Sequence, residues 1–520
     1  MLLEGVFVTS QRFMNVENNP KAYLIGISGI VLLIVGLVWR RGISHLVNAL
    51  HHTSLQIGIA SVCLLLSAYG LAQYLGVMPS RHAAFPITGA FENPAGFAAM
   101  QAVMFPFAWA LCMDKRNTAF LRVFASLSSL ACALTVALSG SRAGLLAVCA
   151  AVMTVSLFQS RIFSVFRTRW WLWLPVLTVV VLAAMLLYHS KSESAEGRLF
   201  IWGRCLELIS ARPLSGHGIG GFQRCYMDAQ AAYFGTHPDS PYVMLADNVT
   251  HPFNEYLKLT VNCGLTGLGV ALAALALVVC KLLKADGRTK TVGLAVTASL
   301  FVMCQFSYPF HYAAVWFVAA LAVLPAFFPE MPAGDRRVST MWRVLSVVIL
   351  SMLLAGVLRM MYLDMKWAEM SKRTLAGQIE RMLPHYRQMK PLMKHNPLFL
   401  YNYAAELNYA GRYEESLAVA EECLERFNDY DVQMLLADSH VGARHPAEAI
   451  AAYRLASRMI PCRFEPLDGM LELYAGSGDV ENACGVAREI LAKKIKVRSL
   501  RVMQIRHHAE SVLEQLASPE

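Results

Sequence analysis

The sequence predicts an all-α protein in two parts, a polytopic transmembrane helical bundle of about ten spans followed by a soluble α-solenoid. Composition comes first, since 520 residues that are 56% hydrophobic and 16% charged, with mean hydropathy +0.43, are too apolar for a water-soluble chain of this length. Charge is the second sign. Residues 1–363 hold 26 Lys+Arg against 14 Asp+Glu, whereas 364–520 hold 20 against 22. The third is a step of about 34 residues between small residues near the C-terminus. The expected domains are therefore a membrane domain at 1–363 and a water-soluble domain at 364–520.

Runs long enough to cross a bilayer, roughly 17 to 25 residues each, fall near Ala22–Trp39, Leu55–Met78, Ala95–Met113, Ala119–Ser139 and Ala143–Phe158. Five more follow near Trp170–Tyr188, Leu257–Cys280, Val292–Ser307, Tyr312–Phe328 and Val344–Leu363. The first run is long and lacks a small-residue cleavage site, so it reads as a span rather than a signal peptide.

Basic residues in short loops stay on the cytoplasmic side. Arg40/Arg41, Lys115/Arg116/Arg122, Arg161/Arg167/Arg169, Lys281/Lys284/Arg288/Lys290 and Arg336/Arg337/Arg343 occupy alternate loops. The loops at 79–94, 139–142, 189–254 and 308–311 then face outward, together with the N-terminus and the C-terminal domain. An outer N-terminus ahead of an uncleaved span leads to the expectation of one or two spans upstream. The 12 cysteines lie mostly inside spans, as Cys63, Cys112, Cys132, Cys149 and Cys304 do, where they act as small apolar residues. Cys205 and Cys225 share the outer loop, where an oxidising compartment would permit a disulfide.

The repeats read Gly411-Arg412-Tyr413-Glu414-Glu415-Ser416, Arg444-His445-Pro446-Ala447-Glu448-Ala449 and Gly478-Asp479-Val480-Glu481-Asn482-Ala483. Ser416, Ala449 and Ala483 recur where two helices cross closely, the tetratricopeptide pattern. Such stacks offer concave surfaces, so a protein partner or acceptor is one expectation and a packing module the other. Asp429-Tyr430-Asp431 lies between repeat helices and reads as a solvated linker rather than a metal-binding pair.

The chemistry gathers in the outer loops. Ser139-Gly140-Ser141-Arg142-Ala143-Gly144 sets Arg142 at the outer end of a span among small residues that let a bulky ligand approach. The alternative is an arginine snorkelling to the interface. Glu196-Gly197-Arg198 opens a helix running to about Ala211, expected to lie on the membrane surface through Phe200, Ile201, Leu206, Leu208 and Ile209. Arg198 and Trp202, four apart, share a face, and a guanidinium beside an indole suits a phosphate joined to an isoprenoid or sugar. Arg204 follows on the same helix.

Arg212-Pro213-Leu214-Ser215-Gly216-His217-Gly218-Ile219-Gly220-Gly221 has no βαβ unit around it, so it is not a dinucleotide loop. It reads as a tight turn whose backbone approaches a ligand or another span. Thr250-His251-Pro252-Phe253-Asn254-Glu255-Tyr256-Leu257 then returns to the bilayer. His251 is the candidate general base, with Asn254 and Glu255 orienting it or touching sugar.

In their order, these pieces resemble the O-antigen ligase and polymerase superfamily of bacterial envelope glycosyltransferases. The likeness covers roughly residues 80–330. It is carried by Gly89-Ala90-Phe91-Glu92-Asn93-Pro94, Ser141-Arg142, Arg198 to Trp202, Pro213 to Gly218, and His251 to Leu257 followed by Cys263-Gly264-Leu265-Thr266-Gly267. Ser307-Tyr308-Pro309-Phe310-His311-Tyr312 looks like the Tyr-Pro segment of the protein O-oligosaccharyltransferase branch, with Ser307 where that branch often has an acid.

The resemblance implies a membrane glycosyltransferase fold in a bacterial inner membrane, with the 189–254 loop and the C-terminal domain periplasmic. It implies transfer from an undecaprenyl-diphosphate-linked glycan, without metal or other cofactor, to a hydroxyl of lipid A core sugar or of protein Ser/Thr. Arg142 and Arg198, with Arg204 nearby, would hold the diphosphate, and His251 would activate the acceptor, Phe253 filling the place of a second family histidine. Trp202, His217, Asn254 and Glu255 are the expected acceptor or sugar contacts. Membrane lipid is an expected partner and nucleic acid is not. A polymerase extending lipid-linked glycan is the alternative enzyme, and a lipid-linked glycan transporter or scaffold the alternative of another class. Transporters, however, place ionisable groups at mid-membrane, and here those groups gather at the outer face.

Overall fold

The computed structural model describes residues 2–39, 42–159, 192–328, 330 and 339–517. Among them are 21 α-helices and no strand, an all-α polytopic architecture. In chain order the helices are α1 Leu2–Phe7, α2 Asn18–Val38, α3 Gly42–His51, α4 Thr53–Tyr74, α5 Pro94–Met113, α6 Ala119–Leu138 and α7 Arg142–Gln159. There follow α8 Ser192–Ala211, α9 Gly221–Thr236, α10 Glu255–Lys284, α11 Gly287–Phe306, α12 Ala313–Val323 and α13 Thr340–Leu375. The last eight are α14 Ile379–Met393, α15 Pro397–Tyr409, α16 Tyr413–Leu424, α17 Tyr430–Gly442, α18 Pro446–Met459, α19 Glu465–Ser477, α20 Val480–Ala492 and α21 Leu500–Ala517.

Among the described residues eight helices are long and apolar enough to cross a membrane: α2, α4, α5, α6, α7, α10, α11 and α13. Expected spans fall on each of them. The span expected at Trp170–Tyr188, and the basic residues Arg40, Arg41, Arg161, Arg167, Arg169, Arg336 and Arg337, lie outside the described residues. The span expected at Tyr312–Phe328 is shorter than predicted. Helix α12 has 11 residues and passes into a 3-10 turn at Leu324–Ala326, where Pro325 has no N–H to continue it.

Contacts divide the chain into two units. The bundle unit takes in the chain up to His189, Phe253–Tyr256 and Val270–Glu369. Its centre is α5, of whose most apolar stretch 83% is buried, so its small and apolar residues serve on every side of the helix. A Cβ on Gly144 would stand 2.7 Å from the Ala98 Cβ, so only glycine lets α7 approach α5 this closely. Polar side chains in this core pair with one another at Gln101: its Nε2 donates to Ser67 Oγ at 2.8 Å, and Cys63 Sγ donates to its Oε1 at 3.1 Å.

At one end of the bundle Asp114, just past α5, receives Arg116 at 3.0 Å and Arg288 at 2.9 Å. These bonds, that from Arg116 first, hold its carboxyl well below the usual carboxylate range. Two basic loops expected to share a side thus meet. Elsewhere in the bundle Asn93 caps α5, accepting from Ala95 N and Gly96 N, while its Nδ2 donates to Tyr308 Oη at 3.1 Å and its Oδ1 accepts from Tyr312 Oη at 3.1 Å.

The second unit takes in the loop up to Pro252, Leu257–Gly269 and the chain from Met370 onward. Helix α13 runs unbroken through position 363, and the division between units falls at Glu369/Met370. Ser416, Ala449 and Ala483 are all fully buried, and Ser416 Oγ donates to Ala404 O at 2.8 Å across the α15–α16 crossing. Loop helix α9 packs on α18, with Gln230 Nε2 donating to Met459 O at 2.6 Å. The C-terminal helices therefore hold the chain's own loop.

Candidate active site in the loop before α10 and its return strap

Two structural devices shape the loop. In the first, α10 is broken at Gly264, which has φ +66° and ψ −171°, a conformation open essentially to glycine alone. A continuous helix would bond Leu265 N–H to Val261 O and Thr266 N–H to Asn262 O. Here the turn 213–218 takes up all four groups. His217 N donates to Val261 O at 2.8 Å and Gly218 N to Asn262 O at 2.8 Å, while Leu265 N donates to Pro213 O at 2.7 Å and Thr266 N to Leu214 O at 3.4 Å. Asn262 Oδ1 also accepts from Phe222 N at 2.9 Å. The glycine-rich turn is a plug in a broken helix, and a Cβ on Gly216 would stand 2.5 Å from Gly264 N.

The second device is the strap that carries His251. Trp202 Nε1 donates to Pro252 O at 2.9 Å, one residue after the histidine. Three residues before it, Asn248 Nδ2 donates to both Asp429 Oδ2 at 2.9 Å and Asp431 Oδ2 at 3.1 Å. Asp429 is 7% exposed and also caps α17 through Val432 N. Asp429-Tyr430-Asp431 is therefore not the solvated linker expected from sequence. It is a clamp on the strap. Beyond the strap, Phe253 adopts φ +53°, a left-handed conformation uncommon for a non-glycine residue, with its ring 5.6 Å from that of Tyr308. Asn254 is buried and its Nδ2 donates to Gln305 O at 3.2 Å, and Glu255 sits in the first turn of α10, where the helix dipole favours a carboxylate.

Arg142 belongs to the bundle unit and is the first residue of α7, half-buried, following Ser141, whose Oγ accepts from Gly144 N at 3.2 Å. Arg198, Trp202, Arg204, His217 and His251 belong to the loop unit. Arg198 is half-buried on α8. Arg204 turns inward: its Nη2 donates to Glu207 at 2.6 Å and its guanidinium lies 4.1 Å from the centre of the Tyr233 ring, with 12% of the side chain exposed. His217 Nε2 pairs with Leu208 O at 2.9 Å. Arg204 and His217 are thus engaged in building the loop.

On helix α8 the apolar residues expected at the membrane surface divide. Phe200 and Ile201 are buried, Phe200 stacking on Tyr242 at 5.1 Å and on Phe234 at 5.3 Å, and only Leu199 and Leu206 are exposed. Cys205 and Cys225 are separate thiols, Cys205 buried and Cys225 3.8 Å from His217 Nδ1. Among the described residues one trio has metal-ligand spacing, Asp468, Glu472 and His508. Its Asp468 is already engaged by Arg501 at 2.9 Å and His508 at 2.8 Å.

Sequence reasoning passed over Asn248 and the His311–Glu92 pair, 3.6 Å apart beside the Asn93 cap. The Asn-Pro start of α5 was the legible signal for the latter. For Asn248 there was none, because its partners are some 180 residues away.

Two predictions arise here. Trp202→Phe keeps the ring and deletes one hydrogen bond of about 1 kcal/mol. Faster amide exchange at 251–254 is expected, and exchange unchanged from wild type would show that the bond does not hold the strap. The second concerns pH. Burial pushes the Asp228 and Asp429 carboxyls above the usual carboxylate range, partly offset by Asn428 at Asp228 and by Val432 N–H and Asn248 at Asp429. Their folded pKa values exceed the unfolded ones, so their stabilisation is full below the unfolded pKa and is lost as pH rises through the folded pKa. The thermal midpoint of the full chain should rise as pH falls from neutrality toward the usual carboxylate range, and the Asp228→Asn/Asp429→Asn double variant should flatten that rise. A wild-type midpoint that falls over this range contradicts the assignment.

Residues 127–272 match the model of a known family, described as O-antigen ligase. The match takes in the second part of α6, α7, the loop, the strap and the broken start of α10, hence every candidate site residue named above from Arg142 to Glu255. No curated protein matches the chain.

Proposed function

From the O-antigen ligase domain that this multi-pass membrane protein carries at 127–272, we propose that it moves a glycan en bloc from undecaprenyl diphosphate to an acceptor hydroxyl at the periplasmic face of a bacterial inner membrane. The domain gives the general class, glycan transfer of the ligase or polymerase type. The observation that carries the finer reading is the pinned strap, since a histidine whose neighbours at 248 and 252 are tied down is held as a general base must be.

In the proposed reaction His251 accepts the proton of the acceptor hydroxyl, and that oxygen attacks the anomeric carbon of the glycan. The bond from that carbon to the diphosphate oxygen breaks, and its electron pair leaves with undecaprenyl diphosphate. Arg142 and Arg198 neutralise the departing charge, a task for which a guanidinium is suited by geometry and permanent charge. Arg204 and His217 support the reaction from inside the loop. Asn254 fixes the far end of the strap, and Glu255 is placed to meet the acceptor or sugar. The helix pairs after 396 are assigned to tetratricopeptide repeats, with the loop of the same chain as their first partner and a protein or lipid A core acceptor beyond it.

A strain lacking the native gene tests this reading. Loss of one glycoconjugate, with full-length lipid-linked glycan accumulating and a plasmid copy restoring attachment, is the expected result. Single repeat units in place of long chains would reassign the protein to the polymerase reaction, and unchanged glycans would overturn glycan transfer altogether.

A further inference from the structure

A cleft of about 720 Å³ opens where the turn after α9 meets the repeat helices, both within the loop-and-repeat unit. Four cations line it, Arg454, Arg458, Lys493 and Lys494, against two carboxylates, Asp239 and Glu489. Arg454 is paired with Glu489 at 3.1 Å. Neither Arg458 nor Lys494 has a hydrogen-bond or ion-pair partner among the described residues, and Lys493 Nζ donates to Arg463 O at 2.9 Å. Four cations against two carboxylates leave an excess of two positive charges in a concave site, and desolvation lowers the pKa of Lys493, the lysine engaged with Arg463 O, to about 8. The turn contributes apolar lining from Phe234, Val243, Met244, Pro238 and Pro241, alongside Asp239 and Ser240.

We infer that this cleft binds an anionic saccharide, a sugar bearing phosphate or carboxylate, with the anion between Arg458 and Lys494 and the sugar against that apolar lining. Size favours more than a bare ion, because the volume falls in the range of pockets that enclose whole small molecules, about 300–1,000 Å³. Two uncommitted cations flanking a concave wall give an anion both charge and donors. The saccharide half of the assignment rests on the glycan-transfer reading, whereas the anion half stands on the cleft alone. The turn that forms the wall ends seven residues before His251, so an occupied cleft would hold a charged part of a glycan substrate beside the strap.

The test is binding, not turnover. The full chain in detergent is titrated with glucose 6-phosphate, glucuronate, glucose, inorganic phosphate and hexaglutamate, read by saturation-transfer NMR. The same titrations are made with the Arg458→Glu/Lys494→Glu double variant, whose two side chains hold no partner. The expected result is saturable binding of the two anionic sugars, none of glucose, and at least tenfold weaker binding to the variant at an unchanged thermal midpoint. Binding that persists in the variant overturns the cleft as the site. Inorganic phosphate as strong as the sugar phosphate, or preference for hexaglutamate, overturns the saccharide. Wild-type protein that binds these sugars yet transfers no glycan would count against the transfer reading and leave the anion site standing.

Discussion

Replacing His251 with alanine should lower the rate of glycan transfer by about 10²- to 10⁴-fold, the usual contribution of a positioned general base, while the protein accumulates and melts as wild type does. The selectivity follows from how the strap is held. Trp202 grips Pro252 O and the Asp429–Asp431 pair grips Asn248, so neither anchor passes through the imidazole. His251→Gln should be as slow as alanine, because an amide donates and accepts hydrogen bonds but does not take up the acceptor proton. Transfer rates on matched amounts of purified variants decide the point. A loss of less than threefold in both would remove His251 from the chemistry and direct attention to His311, which lies 3.6 Å from Glu92 beside the Asn93 cap.

Replacing Gly264 with alanine should be the most damaging small substitution in the loop. The added Cβ would stand 2.0 Å from Leu214 O and 2.3 Å from Leu214 C, both main-chain atoms that cannot swing aside. The conformation at φ +66° and ψ −171° is itself strained for any residue with a Cβ, at a cost on the order of 1–3 kcal/mol. Relief would require withdrawing the plug and exposing Val261 O, Asn262 O and the Leu265 and Thr266 amides together, each main-chain group costing about 1–3 kcal/mol if left unpaired. Rapid proteolytic cleavage within 192–252 is the expected outcome. Gly269→Ala is the control, since nothing lies within 4 Å of its Cβ, and it should resist protease like wild type. Equal resistance of both variants would show that the plug is not needed to close the loop.

Much of this architecture was readable from residues alone, wherever the determining pattern was local. Spans announced themselves by length and hydropathy, α8 ended at Ala211 as its periodicity indicated, and Ser416, Ala449 and Ala483 proved to be buried at helix crossings. The turn 212–221 was legible as backbone approaching another element, because glycines at such density serve close approach, and the element is α10.

The unread features depend on distant partners. Hydropathy averaged over a span hides a single broken residue, so Gly264 was absorbed into an apolar run. Arg204 looked like Arg198 in sequence, and what turns it inward is Tyr233, which lies on another helix and takes its guanidinium against its ring. Asp429 and Asp431 seemed solvated because they lie between two repeat helices, whereas Asn248 comes to them from the loop. Phe200 looked like a membrane contact until Tyr242 and Phe234 supplied the partners that bury it.

The most direct measurement of the central claim is a single-turnover transfer assay with the purified full chain in lipid vesicles, given undecaprenyl-diphosphate-linked glycan and acceptor, with glycan on the acceptor and free undecaprenyl diphosphate followed together. Equal amounts of glycosylated acceptor and released undecaprenyl diphosphate from the wild type, and neither from His251→Ala or Arg198→Ala within the time the wild type needs for its turnover, is the predicted result. Release without transfer, or transfer that survives both substitutions, would contradict it.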